Sequence, residues 1–237
     1  MNEPKYRRVL LKVSGEALAG PAHRGLDFDV INSVCAAIKE CVDMGVQVGL
    51  MVGAGNFWRG VKDGADKMQR SHADAMGMLG TVINCLCMSD ALRKAGLDVV
   101  VQSAVDMNRF CEPFNAVAAR RHLSEGRVVL FAAGSGNPFF STDTAVALRA
   151  VEIQADAIMM AKNIDGVYTA DPHQDPTATL IRDITYAEAA ARELKVMDQT
   201  AFTLCKDNRK PIMVFDMHKP GNITRALLGE KIGTIIG

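Results

Sequence analysis

The chain has 237 residues, 49% hydrophobic and 23% charged, with 27 basic side chains balanced by 27 acidic ones. That balance excludes the domain-wide basic footprint of a nucleic-acid binder, and the apolar content excludes disorder. The length allows one large domain or two small ones, and an aromatic content of 5% beside 13 Met describes a core of mostly aliphatic side chains. In chain order, Val9–Val13 reads as a short apolar strand ending at the turn Ser14-Gly15. Asp27 or Asp29 then caps a helix whose Ile31, Val34, Ile38, Cys41 and Val42 recur at helical spacing, and Gly45 stands where a left-handed cap ends it. Val46–Val52 is the second strand and runs into the turn Gly53-Ala54-Gly55-Asn56.

A long helix is predicted over about 71–94, ending at Gly96, then a strand over 98–102 and a helix near 116–123. The strand Val128–Ala132 leads into Gly134-Ser135-Gly136-Asn137-Pro138, followed by a helix from Thr142 to about Gln154 and a strand over 157–161. Beyond Asp165-Gly166, Asp171-Pro172 and Asp175-Pro176 mark a loop excursion. Two helices over 185–196 and 196–206, a strand over 212–215, a short helix over 222–228 and a last strand over 233–236 complete the chain. The alternation of strand and helix predicts an α/β fold, a three-layer αβα sandwich around a mostly parallel sheet. Its strands are continuous apolar runs, as a sheet covered on both faces requires.

Six cysteines occur without a CxxC pair or a zinc-like spacing, so they read as buried free thiols of a reducing compartment. No signal peptide is recognised, and no apolar run is read as approaching the roughly 20 residues of a membrane span, so the expected location is the cytoplasm, away from membranes.

In an open parallel sheet, ligands bind beyond the carboxyl ends of the strands. Four turns fall on that edge: Lys12 to Gly15, Gly53 to Gly60, Gly134 to Asp143, and Lys162 to Gly166. Glycines allow close backbone approach and helix N-termini present free N–H groups to anions, so the edge points to a phosphorylated ligand. No GxxxxGK[ST] loop is present, and the turn at Gly53 lacks the third glycine of a dinucleotide fingerprint. Lys12, at the end of an apolar strand, is open to two readings, a snorkelling lysine or a phosphate ligand. Asp143 and Asp198 could each simply cap a helix, Asp74 could lie on a solvated helix face, and Arg59, Tyr168 and Asp171 could lie on the surface.

Taken together, Lys12-Val13-Ser14-Gly15-Glu16-Ala17-Leu18, the Gly-x-Gly-Asn-x-x-Arg run closing at Gly60, Asp74-x-Met76-Gly77-Met78, Gly134 to Asp143, Asp165 to Pro172 and Glu193-Leu194-Lys195-Val196-Met197-Asp198 resemble the bacterial uridylate kinases of the amino-acid-kinase fold family. The likeness covers nearly the whole chain in order. It implies a single domain over 1–237, with an N-terminal acceptor lobe and an ATP lobe from about residue 160. The implied reaction passes a phosphoryl group from MgATP to UMP. The likeness also implies a homohexamer, with GTP as an activator and UTP as an inhibitor. Lys12, Arg59, Asp143 and Asp198 would be catalytic. Lys12, Val13, Ser14, Gly15, Gly55, Arg59, Asn163, Tyr168 and Asp171 would bind ATP. Ala54, Asp74 and the run Ser135, Gly136, Asn137, Pro138, Phe139, Phe140, Ser141 and Thr142 would bind UMP. No protein metal site is implied, only Mg²⁺ with ATP. Ala54 stands where these enzymes commonly carry glycine, which a negative φ would tolerate.

Two other readings remain, a relative that phosphorylates a carboxylate or carbamate and a non-catalytic nucleotide-binding regulator. The Gly136 to Phe140 segment argues against the first, and Lys12, Arg59 and Asp143 argue against the second.

Overall fold

The computed structural model describes residues 3–59, 64, 67–170, 172, 174–194, 196–219, 221–228 and 230–237. Its strands are β1 (Arg8–Val13), β2 (Gln47–Val52), β3 (Val99–Ser103), β4 (Glu112–Pro113), β5 (Val128–Ala132), β6 (Ala157–Lys162), β7 (Val167–Tyr168), β8 (Leu180–Ile181), β9 (Asp183–Ile184), β10 (Ile212–Asp216) and β11 (Thr234–Ile236). The α-helices are α1 (Phe28–Asp43), α2 (Arg70–Lys94), α3 (Ala116–Ser124), α4 (Thr142–Glu152), α5 (Tyr186–Ala191), α6 (Gln199–Asp207) and α7 (Asn222–Leu227). Among the described residues, nine strands form one sheet in the order β4-β3-β5-β2-β1-β6-β10-β11-β9, and β7 and β8 form a separate ribbon. Every pair in the large sheet is parallel except β10 with β11.

The period of two along each strand splits the core into two layers. Val9, Leu11 and Val13 of β1 and Val48, Leu50 and Val52 of β2 face one side, packed with Ile31 and Ile38 of α1, Met88 and Leu92 of α2 and Ile223 of α7. Leu10, Met51, Val129 and Phe131 face the other side, with Ala119 and Leu123 of α3, Val146 of α4, Tyr186 of α5 and Phe202 of α6. The three-layer sandwich is therefore as predicted.

Local signals hold where they are chemical. Asp27 caps α1 by accepting from the N–H groups of Asp29 and Val30. Gly45 and Gly96 follow their helices at φ of 85° and 90°, the left-handed conformation that ends a helix without steric cost. The structure shortens the expected helices over 185–206, because α5 stops at Ala191 and Asp198 caps α6. It adds a 3₁₀ helix, Ala17–Ala22, and the two-residue strands β4, β7, β8 and β9, which are too short for any period to reveal.

The membrane expectation needs one correction. By length and composition, α2 is apolar enough to cross a bilayer. It is a core helix here, packed on β2, β3 and β5. Its buried polar side chains have specific partners, with Thr81 accepting from Ala133 N–H and Asn84 donating to Gly53 C=O. Its other side exposes Met76, Leu79, Ile83 and Leu86 in a row. The apolarity reflects two apolar sides of a helix, one buried against the sheet and one exposed.

Candidate active site

Parallel neighbours β1 and β6 end beside one another, with Lys12 in register with Met160 and Val13 with Ala161. β6 closes on Lys162, and Lys12 is the last residue but one of β1. The Lys12 side chain is only 13% exposed, and its Nζ lies 3.3 Å from Asp143 Oδ1 in the first turn of α4. That carboxylate oxygen is buried and accepts no hydrogen bond, so neighbouring cations are what compensate it. Lys162 Nζ donates to Val196 C=O at 2.6 Å. Burial lowers the Lys162 pKa, Asp143 opposes that shift and Lys12 adds to it. Two ammonium groups thus act on one carboxylate.

The glycine turns beyond β1 and β2 touch. Gly53 N–H donates to Val13 C=O at 3.0 Å. A Cβ on Gly15 would stand 2.2 Å from Gly53 O and 2.7 Å from Asn56 Oδ1, so only glycine fits there. Arg59 forms an ion pair with Glu16, the residue after Gly15. Ala54 has a negative φ, which accommodates its methyl without strain, and lies over Gly80 of α2, where a Cβ would stand 3.0 Å from the Ala54 methyl.

Beyond β5 the chain coils tightly, with positive φ at Ala133, Gly134, Gly136 and Phe139. Gly136 has φ of 80° and faces Ala104 O, which an added Cβ would approach to 2.8 Å. Asp74 accepts from Phe139 N–H at 2.8 Å and pairs with Arg70 at 2.8 Å, and Arg70 also lies over the Phe139 ring. Asp74 is therefore no free helix face; it ties α2 to the coil. Ser141 caps α4 by accepting from Thr144 N–H and donates to Asp198. Asp198 also accepts from Thr144 Oγ1 and from Ala201 N–H. Burial alone would raise its pKa, but the hydrogen bonds from Ser141, Ala201, Thr144 and Thr200 outweigh burial and hold the carboxyl below its usual range. It caps α6 and joins the two helix starts in one act.

Two cavities open on this edge. One, of 630 Å³, is lined by Lys12, Ser14, Gly15, Ala54, Gly55, Arg59, Asp74, Ser135, Asn137, Phe139, Phe140, Ser141, Thr142 and Asp198 among others. The other, of 810 Å³, is lined by Lys162, Asn163, Gly166, Tyr168 and Asp216 among others. Asn163 Oδ1 lies 3.2 Å from His218 Nε2, and Tyr168 Oη donates to Asp165. Val13 is fully buried, so its side chain faces the core, and Gly136 and Pro138 line neither cavity. Asp171, Gly60 and Lys195 lie outside the described residues. Sequence reasoning placed Lys162 at the start of a ligand-side turn but gave it no role of its own. The signal for it was present, a lysine at the carboxyl end of an apolar strand, as Lys12 is in β1.

Among the described residues, no three His, Cys, Asp or Glu side chains converge to hold a metal. Mg²⁺ in phosphoryl-transfer sites is held mainly by substrate phosphates, with one or two carboxylates. Asp143, whose buried Oδ1 has cations beside it but accepts no hydrogen bond, is the carboxylate that fits that mode, with Mg²⁺ carried in on a nucleotide.

The sequence model of the amino acid kinase family matches residues 7–216. Among solved structures, a UMP kinase from Bacillus anthracis superposes with a TM-score of 0.94 at 36% identity, covering 98% of this chain and 96% of that one. A UMP kinase from Ureaplasma parvum superposes at 0.93 with 34% identity, covering 98% of this chain and 99% of that one. A uridylate kinase from Archaeoglobus fulgidus gives 0.73 at 26% identity, covering 97% and 99%.

Proposed function

This chain belongs to the amino acid kinase family, and from that membership we propose that it transfers the γ-phosphoryl group of MgATP to UMP, giving ADP and UDP for pyrimidine nucleotide synthesis. The observation that carries the reading is the Lys12, Asp143 and Lys162 cluster, which joins two cavities at one strand edge. One cavity is rimmed by the Ser135 to Thr142 coil and is suited to the acceptor. The other, around Asn163 and Tyr168, suits the base and ribose of ATP. In this reading one domain spans 1–237, with an acceptor lobe and an ATP lobe from about residue 160. Two solved UMP kinases above 30% identity over nearly the whole chain support it.

Phosphoryl transfer passes through a loose transition state with charge spread over the equatorial oxygens, so the protein acts chiefly by positioning and neutralising. Lys12 supplies a largely desolvated ammonium to that charge, and Asp143 keeps it aimed. Arg59 leaves Glu16 to reach the phosphates. Backbone N–H groups of the Gly53 and Gly15 turns and the start of α4 receive phosphate oxygens. Asp198 fixes the start of α4 through Ser141 and Thr144, and Asp74 turns to the acceptor ribose. Mg²⁺, when bound with ATP, supplies Lewis-acid neutralisation of the phosphates.

The enzyme acts in the cytoplasm as a homohexamer, activated by GTP and inhibited by UTP. Self-association is supported by the exposed row of Met76, Leu79, Ile83 and Leu86 on α2, a larger apolar face than isolated surface side chains explain. A coupled assay comparing UMP, CMP, AMP and dUMP as acceptors, with GTP and UTP added in turn, tests the reading. UMP is expected to be the preferred acceptor, and a preference for CMP or AMP would refute it.

A further inference from the structure

Neither Asn56 nor Asn84 lines either of the two cavities, yet together they form a closed polar unit beneath the Gly15 and Gly53 turns. Asn84 lies in the middle of α2 at 0% exposure and Asn56 follows Gly55 at 2%. A carboxamide inside a helix is a weak helix former, and burying it without partners is costly. Here every donor of both amides has an acceptor. Asn84 Nδ2 donates to Gly53 O at 2.7 Å and to Asn56 Oδ1 at 2.8 Å. Asn56 Nδ2 donates to Gly25 O at 2.7 Å and to Asn84 Oδ1 at 2.9 Å. Gly25 N–H returns a bond to Asn56 O at 3.0 Å.

The partner that matters is Gly53. Its N–H is committed to Val13 C=O and its C=O to Asn84, so the peptide groups on either side of Gly53 cannot rotate freely. With that carbonyl drawn toward Asn84, the planar trans peptide aims the Ala54 N–H the opposite way. Gly15 then rests on the same carbonyl and on Asn56 Oδ1. Loss of the Asn84 bond would release a carbonyl able to swing toward the donor phosphates, where its negative end repels them.

We infer that Asn84, paired with Asn56, is a positioning residue for ATP: it fixes the orientation of the Gly53 turn from inside α2 without touching substrate. The inference rests on the kinase reading above, and its test is built to separate the two. Asn84→Ala and Asn84→Asp are prepared in the full chain, with Asn56→Ser in reserve where either fails to fold. Asn84→Asp keeps the shape and the acceptor but, as a carboxylate, cannot donate to Gly53. Affinity for a non-hydrolysable ATP analogue is titrated without UMP, and kcat and the KM for UMP are measured separately.

The expected result is at least a fivefold loss of analogue affinity and a tenfold loss of kcat in both variants, with a smaller rise in the KM for UMP, whose cavity shares Ala54 of the same turn. Unchanged affinity in a folded variant overturns the inference. So does an equal loss toward both nucleotides, which marks general loosening, or normal affinity in Asn84→Asp. A parent protein that does not phosphorylate UMP would refute the functional reading alone, since the analogue titration still decides the role of Asn84.

Discussion

Replacing Lys12 by methionine separates its structural from its chemical work. At 3.3 Å and an effective dielectric of about 20, the Lys12 to Asp143 attraction is about 5 kcal/mol before desolvation is subtracted. Removing one partner of a mostly buried pair costs about 3–5 kcal/mol, because the other charge is left uncompensated. Lys162 still acts on Asp143, which puts the expected loss near the lower end, about 3 kcal/mol. For a chain of this size that lowers the thermal midpoint by roughly 6–12 °C. Adding Asp143→Asn removes the stranded charge, so the double variant should recover about half of the loss. Activity should not recover, because the cation proposed to face the transferring phosphoryl is absent from both variants. A loss of about 100-fold or more in kcat is expected in each. Thermal scans and steady-state assays on the two singles and the double complete the cycle. A Lys12→Met protein as stable as the parent, a double no more stable than that single, or kcat within tenfold of the parent would refute the reasoning.

Gly15→Ala drives a methyl to 2.2 Å from Gly53 O, a backbone atom already held by Asn84, so the two turns must part by about 1 Å. A fall of about 100-fold in kcat/KM with a stability loss of about 1–3 kcal/mol is expected, and activity near that of the parent would show that the turns are free to separate. Asp198 has a folded pKa below its unfolded value of about 3.9, so its stabilisation is complete above that pH and fades as pH falls through the lower folded value. The stability gap between the parent and Asp198→Asn should be about 1–2 kcal/mol near neutrality and narrow as pH falls below the unfolded value; denaturation midpoints across pH would reveal a gap that fails to narrow. Ile83→Glu, on the exposed row of α2, should leave the fold intact and reduce the mass seen by light scattering; an unchanged mass would move the contact face elsewhere.

Much of the fold was written in local chemistry. The apolar run at Val9–Val13, the Asp27 cap, and Gly45 and Gly96 past their helices each encode an element through bonds within a few residues. The strand order, the antiparallel return of β11 and the two-residue strands at the edges depend on which segments meet, and no local signal carries that. The Lys162 role shows the same limit: the residue was visible, but its approach to Asp143 arises only when β1 and β6 lie side by side.

Alone, the sequence determined a doubly covered parallel sheet with glycine turns and Lys12 at its carboxyl edge, because periodicity, turn residues and an ammonium at the end of an apolar strand are properties of short segments. Tertiary structure decided what compensates Asp143, why Gly15 admits no side chain and how Asn84, from the middle of α2, reaches the Gly53 turn. Each of these is a contact between residues far apart in the chain, and only packing brings the partners within hydrogen-bond or ion-pair distance.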